Sequence, residues 1–277
     1  MRPLPVPPGI EVMTVSHHQS SMAWLTAGKS AAVSAAVCLL ANAGWAAPLA
    51  SSLAQAYGKT GTAPAAQQLI PFADPAGQDL RILASGQGDY GPLAQWFETQ
   101  ANLASCGVAS AVMVLNSLAV EAPPVQGYGS YRFWTQAKAF SIPGSRGFVR
   151  AEVVAQEGMT LAQLQGWLAQ HPQLVVERFH ADRLSLAQWR ALLRRSLKDP
   201  QDRLLVNYNR SAMGQAGEGH ISPVAAYDPH SDRTLILDVA RYRYPPVWVS
   251  ADILWHAMRT TDSSSGRSRG LLLIRRR

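Results

Sequence analysis

Cysteine is nearly absent. The chain has two in 277 residues, Cys38 and Cys106, and neither stands in a CxxC pair or a Cys/His spacing, which excludes the thiolate metal sites that such spacings build. Charge is sparse as well: 16% charged against 47% apolar is neither a disordered nor a fibrous composition. The net charge of +7 comes with no nucleic-acid motif. Its basic residues are scattered apart from RALLRRSL (Arg190 to Leu197) and the terminal RRR, so no nucleic acid is expected as a partner. No internal repeat or low-complexity block follows residue 50, which sets aside repeat architectures. The longest apolar run, from Ala31, is about fourteen residues and serine-interrupted, whereas a membrane-spanning helix needs about 20.

What is present suits one globular domain behind a leader. A proline-rich, patternless start, MRPLPVPPGIEVMTVSHHQSS, gives way to MAWLTAGKSAAVSAAVCLLANAGWAAPLA (Met22 to Ala50). A lysine, then an apolar stretch, then small residues is the order of a signal peptide. Ala41-Asn42-Ala43 fits the cleavage pattern, and a cut after Ala46 fits too. The expected division is 1–46 as N-terminal extension and signal peptide and 47–277 as the functional domain, exported and periplasmic. Membrane anchoring by an uncleaved leader is the alternative. If the leader leaves, Cys38 leaves with it, and Cys106 is a lone thiol in a compartment where cysteines usually pair.

Residues 51–80 read as an extended, loop-rich lead-in. From Cys106 the apolar residues Val108, Val112, Leu115 and Leu118 recur at helical spacing, which predicts a buried helix. Pro123 to Gln136 reads as a connection. GMTLAQLQGWLAQH (Gly158 to His171) predicts a helix capped by Thr160, LVVERFH a strand, and SLAQWRALLRRSL a helix capped by Ser185. Then the period changes: RLLVNYN, HISPVAAYD, TLILDVA, PVWVS and GLLLIR are short β-runs separated by turn residues. Helices first and a mostly antiparallel sheet second predict an α+β fold of two lobes.

Cys106 by itself is either a buried small hydrophobe or a nucleophile. Its place at a helix start favours a thiolate, because unpaired N–H groups and the positive end of the macrodipole lie there. Gly107 after it is expected to let substrate approach without a Cβ in the way. A thiolate nucleophile needs a base and a group to orient that base. Of the seven histidines, His220 follows the glycine-rich GQAGEG and opens a strand, a position that presents a side chain at a cleft edge. Asp238 ends the next β-run, TLILD. Two strands joined by the turn at Asp228 to Arg233 run antiparallel and make His220 and Asp238 cross-strand neighbours. Gln100, six residues before Cys106, is a candidate to stabilise an oxyanion together with the Cys106 N–H.

Four stretches, TQANLASCGVASAVMVLNSL, VQGYGSYRFWT, GQAGEGHISPVAAYDPHSDRTLILDVARYRYPPVWV and TTDSSSGRSRGLLLI, together resemble the catalytic domain of phytochelatin synthase. This is the glutathione γ-glutamylcysteinyltransferase family within the papain-like cysteine peptidases, and the resemblance runs from Phe97 to Ile274. It implies a papain-like two-lobe fold, with Cys106, His220 and Asp238 as nucleophile, base and orienting acid and Gln100 at the oxyanion. The implied reaction is attack on the Cys–Gly bond of glutathione, release of glycine, and a γ-glutamylcysteinyl thioester passed to water or to a second glutathione. The resemblance also implies Asp262 and Arg269 as the acid and guanidinium that receive the γ-glutamyl ammonium and carboxylate. Read without it, TTDSSSGRSRG is a solvated serine-rich loop. Asn207 and Gly219 are further binding candidates by the same resemblance, and Arg241 a contact for the second glutathione.

The chain departs from plant members, which add a cysteine-rich C-terminal region. The expectation is therefore deglycination first and chain elongation second, with no cofactor required of the chain. Heavy-metal ions such as Cd or Zn enter as metal–glutathione thiolate substrate, and a homodimer is left open. The rival readings are a papain-like bacteriocin- or leader-cleaving peptidase and a non-catalytic glutathione- or metal-thiolate-binding protein. Fold alone does not separate them.

Overall fold

The computed structural model of the chain describes residues 69–86, 88–144 and 147–277. These belong to the unit spanning residues 61–277; the expected leader and Cys38 lie outside the described residues. A short strand β1 (Leu69–Pro71) is followed by helices α1 (Pro75–Leu83), α2 (Tyr90–Ala94), α3 (Cys106–Ser117), α4 (Ala151–Glu157) and α5 (Leu161–Leu168). Then come β2 (Leu174–His180), α6 (Leu186–Ser196), β3 (Asp202–Asn209), β4 (Gly219–Asp228), β5 (Arg233–Ile236) and β6 (Val247–Ser250). The chain closes with α7 (Ala251–Arg259), a hairpin of β7 (Thr261–Asp262) and β8 (Arg267–Ser268), and β9 (Gly270–Arg276).

The fold is α+β. Seven strands form one antiparallel sheet in the order β1-β6-β5-β4-β3-β9-β2. Alternation along the strands splits their side chains between two cores. Leu205, Ile221, Leu235, Leu272 and Ile274 pack with α3 and α5 on one face. Leu204, Val206, Val224, Leu271 and Leu273 pack with Trp189, Leu193, Leu254 and Met258 of α6 and α7 on the other. The sheet is thus covered on both faces, which explains why its strands read as nearly continuous apolar runs rather than half-polar ones.

Helix α3 is apolar all round because it is buried all round: every residue from Gly107 to Asn116 is buried. At about 1.5–3 kcal/mol for each buried Val, Leu or Met side chain, this burial holds the helix in place. Its polar exceptions act as ties. Ser110 donates to the Ile221 carbonyl of β4 at 3.0 Å, and Asn116 bonds the backbone of Trp134 through both amide atoms (2.9 and 2.7 Å). At the C-terminal end the buried Arg203 of β3 bonds the Ser117 hydroxyl (3.1 Å) and carbonyl (3.2 Å), placing a cation where the helix dipole is negative. The same guanidinium pairs with Asp89 at 3.1 Å. Burial, only partly offset by Arg203, pushes that carboxyl up to about 7.

The helix caps expected at Thr160 and Ser185 form, each side chain accepting from the N–H three residues on, and in both a glutamine at that third position bonds back to the cap N–H to complete a capping box. The lead-in differs. Residues 75–80, the end of the expected loop-rich lead-in, form α1 together with the next three residues, with Pro75 in the first turn where its missing N–H costs nothing. Leu80 is buried there, and the Trp248 indole N–H donates to the Gly77 carbonyl at 2.9 Å. These long-range contacts hold a helix that local propensity does not announce. Because Arg203 joins the end of α3 to β3, Arg203→Met should lower stability by about 3 kcal/mol or more, measured by chemical unfolding; a change within experimental error would remove that role.

Candidate active site

Cys106 opens α3, and no side chain caps that helix end. Asn102 instead accepts from the Ala104 N–H (2.9 Å) and the Ser105 hydroxyl (2.8 Å), a turn just ahead of the helix. The first-turn N–H groups are therefore free of a side-chain cap and available to a thiolate. The half-buried sulfur receives backbone hydrogen bonds from Gly107 and from Ile221 of β4. With Ser110 bonded to the Ile221 carbonyl, helix and strand are joined on both sides of that one residue.

His220 is the second residue of β4 and lies opposite Tyr208 of β3. The two rings meet edge-on with centroids 5.7 Å apart. His220 Nε2 stands 2.9 Å from Asp238 Oδ1, and the imidazole is hydrogen-bonded to Cys106. The expected strand ending at Asp238 is shorter than read: β5 stops at Ile236, and one further bond, Leu237 N–H to the Pro223 carbonyl (3.1 Å), prolongs the pairing. Past it the Asp238 carboxylate accepts from the Ala240 N–H (2.8 Å), which turns the backbone out of the ladder.

Burial is the largest influence on all three groups, and it disfavours each charge. The charges themselves overcome it. The His220 charge and hydrogen bond, with the N–H groups of Ile221 and Gly107, hold the Cys106 thiol below its ordinary value. The Cys106 charge, with the contacts to Asp238, holds His220 above its own. Asp238 stays well below the usual carboxylate range through His220 and Arg210. Each group of the pair thus favours the charged form of the other, in the direction of the thiolate–imidazolium form that a cysteine nucleophile requires.

Arg210 is the residue the sequence reading missed. It follows β3, is buried, and donates to Asp238 Oδ2 (2.6 Å) and Oδ1 (2.9 Å) as a two-pronged fork. The available signal is an arginine directly after an apolar strand and ahead of the glycine-rich loop, which by itself names no partner.

Cys106 and His220 line a cleft of about 350 Å³ with Asn207, Gly219, Asp262 and Arg269. Arg269 donates to Asn207 Oδ1 at 3.1 Å and lies 3.7 Å from Asp262 Oδ1. Its Nε is buried and has no hydrogen-bond partner. Asp262 closes its serine turn, accepting from the Ser265 hydroxyl (2.9 Å). Gly219 has a steric reason: a Cβ there would collide with the Arg269 guanidinium. Met159, Gly158 and the exposed Leu103 complete the rim.

Three residues sit differently from expectation. A Cβ on Gly107 would meet Ile221 (3.4 Å) and Met159 (3.5 Å), so this glycine faces the packed seam between helix and strand, not the path of a substrate. Gln100 is buried and bonded through its N–H to the Val239 carbonyl (3.0 Å), beside Asp238, but its Nε2 donates to the Asn102 carbonyl (2.7 Å) and the Tyr242 hydroxyl (3.2 Å). Arg241 is exposed, stacks on Phe97 at 4.5 Å, and is not among the residues lining the cleft. Among the described residues, no group of three or more His, Cys, Asp or Glu is placed to hold a metal ion. No described helix is long and apolar enough to cross a membrane.

The sequence model of phytochelatin synthase matches residues 61–271. The chain belongs to the phytochelatin synthase family. It is 33% identical over 208 residues to glutathione gamma-glutamylcysteinyltransferase 3 of Lotus japonicus, covering 74% of this chain and 42% of that protein. It is 37% identical over 185 residues to glutathione gamma-glutamylcysteinyltransferase 1 of Triticum aestivum, covering 67% and 35%. To the Schizosaccharomyces pombe glutathione gamma-glutamylcysteinyltransferase it is 29% identical over 215 residues, covering 75% and 49%. The matched part is thus less than half of these curated relatives.

In this phytochelatin synthase domain the charge pairing makes a prediction that needs no substrate. Cys106 should be alkylated by iodoacetamide nearly as fast at pH 6 as at pH 8, whereas an ordinary thiol slows on the order of a hundredfold. His220→Ala should restore the steep pH dependence, and a wild-type rate that already falls steeply would contradict the ion pair.

Proposed function

We propose that this domain is a cysteine-nucleophile acyl transferase and hydrolase of glutathione. The observation that carries the reading is the placement of Cys106–His220 and of the Arg269, Asp262 and Asn207 side chains in one cleft. A γ-glutamyl head carries an ammonium and a carboxylate on one carbon. The Arg269 guanidinium at the cleft wall suits the carboxylate, and Asp262, 3.7 Å away, suits the ammonium. A peptide chain has no such paired head, which disfavours a leader-cleaving peptidase.

The Cys106 thiolate attacks the cysteinyl carbonyl carbon of glutathione, and His220 gives its proton to the leaving glycine nitrogen. The product is glycine and a γ-glutamylcysteinyl thioester on Cys106. In the second half His220 takes a proton from the acceptor, either water or the α-amino group of a second glutathione, as that acceptor attacks the thioester. The Cys106 N–H and the Gln100 amide are assigned to the oxyanion; for this Gln100 Nε2 gives up one of its present partners. Hydrolysis to γ-glutamylcysteine is the main course and chain elongation the side course. Cd or Zn enters as a glutathione thiolate, part of the substrate, and the chain requires no cofactor. The proposal extends to export into the periplasm with a cleaved leader, and a homodimer is compatible with it.

Incubation with glutathione, with and without Cd²⁺, followed by mass analysis, should yield glycine and γ-glutamylcysteine. Cys106→Ala should abolish both, and persisting glycine release in that variant would overturn the reading. Arg269→Ala should raise KM about tenfold or more, the loss of a charge-assisted contact, an effect on glutathione use larger than its effect on stability. An unaltered KM would remove Arg269 from the γ-glutamyl site.

A further inference from the structure

Asp238 has two oxygens, and Arg210 takes both. Its Nη1 meets Oδ2 at 2.6 Å and its Nη2 meets Oδ1 at 2.9 Å. The Ala240 N–H takes Oδ1 from another side, so the carboxylate cannot rotate without breaking two charge-assisted bonds. What remains of Oδ1 faces His220.

The same arginine holds the loop that leads into β4. Its N–H donates to the Glu218 carbonyl (2.9 Å), its carbonyl accepts from the Gln215 N–H (3.1 Å), and Nη1 also donates to Gln215 Oε1 (2.8 Å). Gly217 passes it at φ +117, a conformation suited to glycine. The guanidinium lies 4.6 Å from the Tyr244 ring, and the Tyr244 hydroxyl donates to the Ala216 carbonyl (2.9 Å). One residue thus fixes the acid through its side chain and, largely through its backbone, the segment that delivers His220.

We propose that Arg210 is a positioning residue for the reacting pair: it locks the Asp238 carboxylate and shares its charge, so that His220 still releases its proton to the leaving amine. An Asp facing a histidine alone lends it a full negative charge and binds the imidazolium proton tightly. An Asp already neutralised by a guanidinium orients the ring while lending less of that charge. The groups that face this centre are Cys106 from α3, Tyr208 from β3, Asp238 after β5 and Tyr244 beyond it, with Arg243 stacked at 5.3 Å on the Tyr244 ring. The proposal rests on Cys106 and His220 being the reacting groups.

The test is the pH profile of glycine release from glutathione for Arg210→Met and Arg210→Lys, alone and with Asp238→Asn. Arg210→Met should lower kcat at least tenfold, part of the roughly 10²–10⁴ that general acid–base transfer contributes, with KM held within about twofold. Its alkaline limb should move up by about one pH unit, the shift expected from removing one neighbouring cation. Arg210→Lys, which keeps the charge and loses the fork, should return the limb to its wild-type place and recover only part of kcat. In the Asp238→Asn background Arg210→Met should cost little more, because the two act as a unit. An unmoved limb in Arg210→Met, or a full additional loss in the Asp238→Asn background, would show loop support alone and overturn the proposal. If Arg210→Met does not fold, Arg210→Lys decides, and an unchanged kcat there overturns it. Cys106→Ala and His220→Ala separate the two levels: release surviving in them sinks the glutathione reading, whereas release lost in them and untouched in the Arg210 variants sinks this proposal alone.

Discussion

The Cys106 thiol and the His220 imidazole meet where the N-terminus of one helix meets the start of one strand, and each favours the charged form of the other against burial. Burial opposes the charged form of Cys106, of His220 and of Asp238 alike. The site therefore exists as a chain of compensations that runs from backbone N–H groups to sulfur, to imidazole, to carboxylate, to guanidinium. Each link is set by a different element: α3, β4, the segment after β5, and the turn after β3. The fold has to bring four pieces of backbone to one point and keep them there.

The two-sided sheet does this. Because α3 and α5 cover one face while α6 and α7 cover the other, β3, β4 and β9 are central strands fixed by ladders on both edges. Their ends carry Asn207, Gly219, His220 and, just before β9, Arg269. Helix α3, which carries Cys106, is held at both ends, by the Ser110–Ile221 bond near its start and by Arg203 at its finish. Regular elements fix Cys106 and His220, and the wrapped segment around Arg210 fixes Asp238.

The parts of this arrangement that local pattern encodes were legible in the sequence. The apolar period after Cys106, the helix caps at Thr160 and Ser185 and the short β-runs each depend on neighbours a few residues apart. His220 and Asp238 were legible as a pair because a hairpin brings them together with few intervening residues. What pattern does not encode is which side of an element faces the cleft. Gly107 packs into the seam, α1 forms on contacts from Trp248, and Arg210 finds its carboxylate 28 residues away across the sheet. Asp262 and Arg269, a polar loop by composition, become a site only through the cleft wall that Gly219 leaves open.

The central claim is that Cys106 carries the acyl group between the two halves of the reaction. Mixing the protein with glutathione, quenching in acid within the first turnovers and weighing the intact chain tests it directly. The account predicts a mass gain equal to a γ-glutamylcysteinyl group, stable in acid, released by hydroxylamine and mapped to Cys106. Glycine release with no such adduct, or an adduct that still contains glycine, would contradict it.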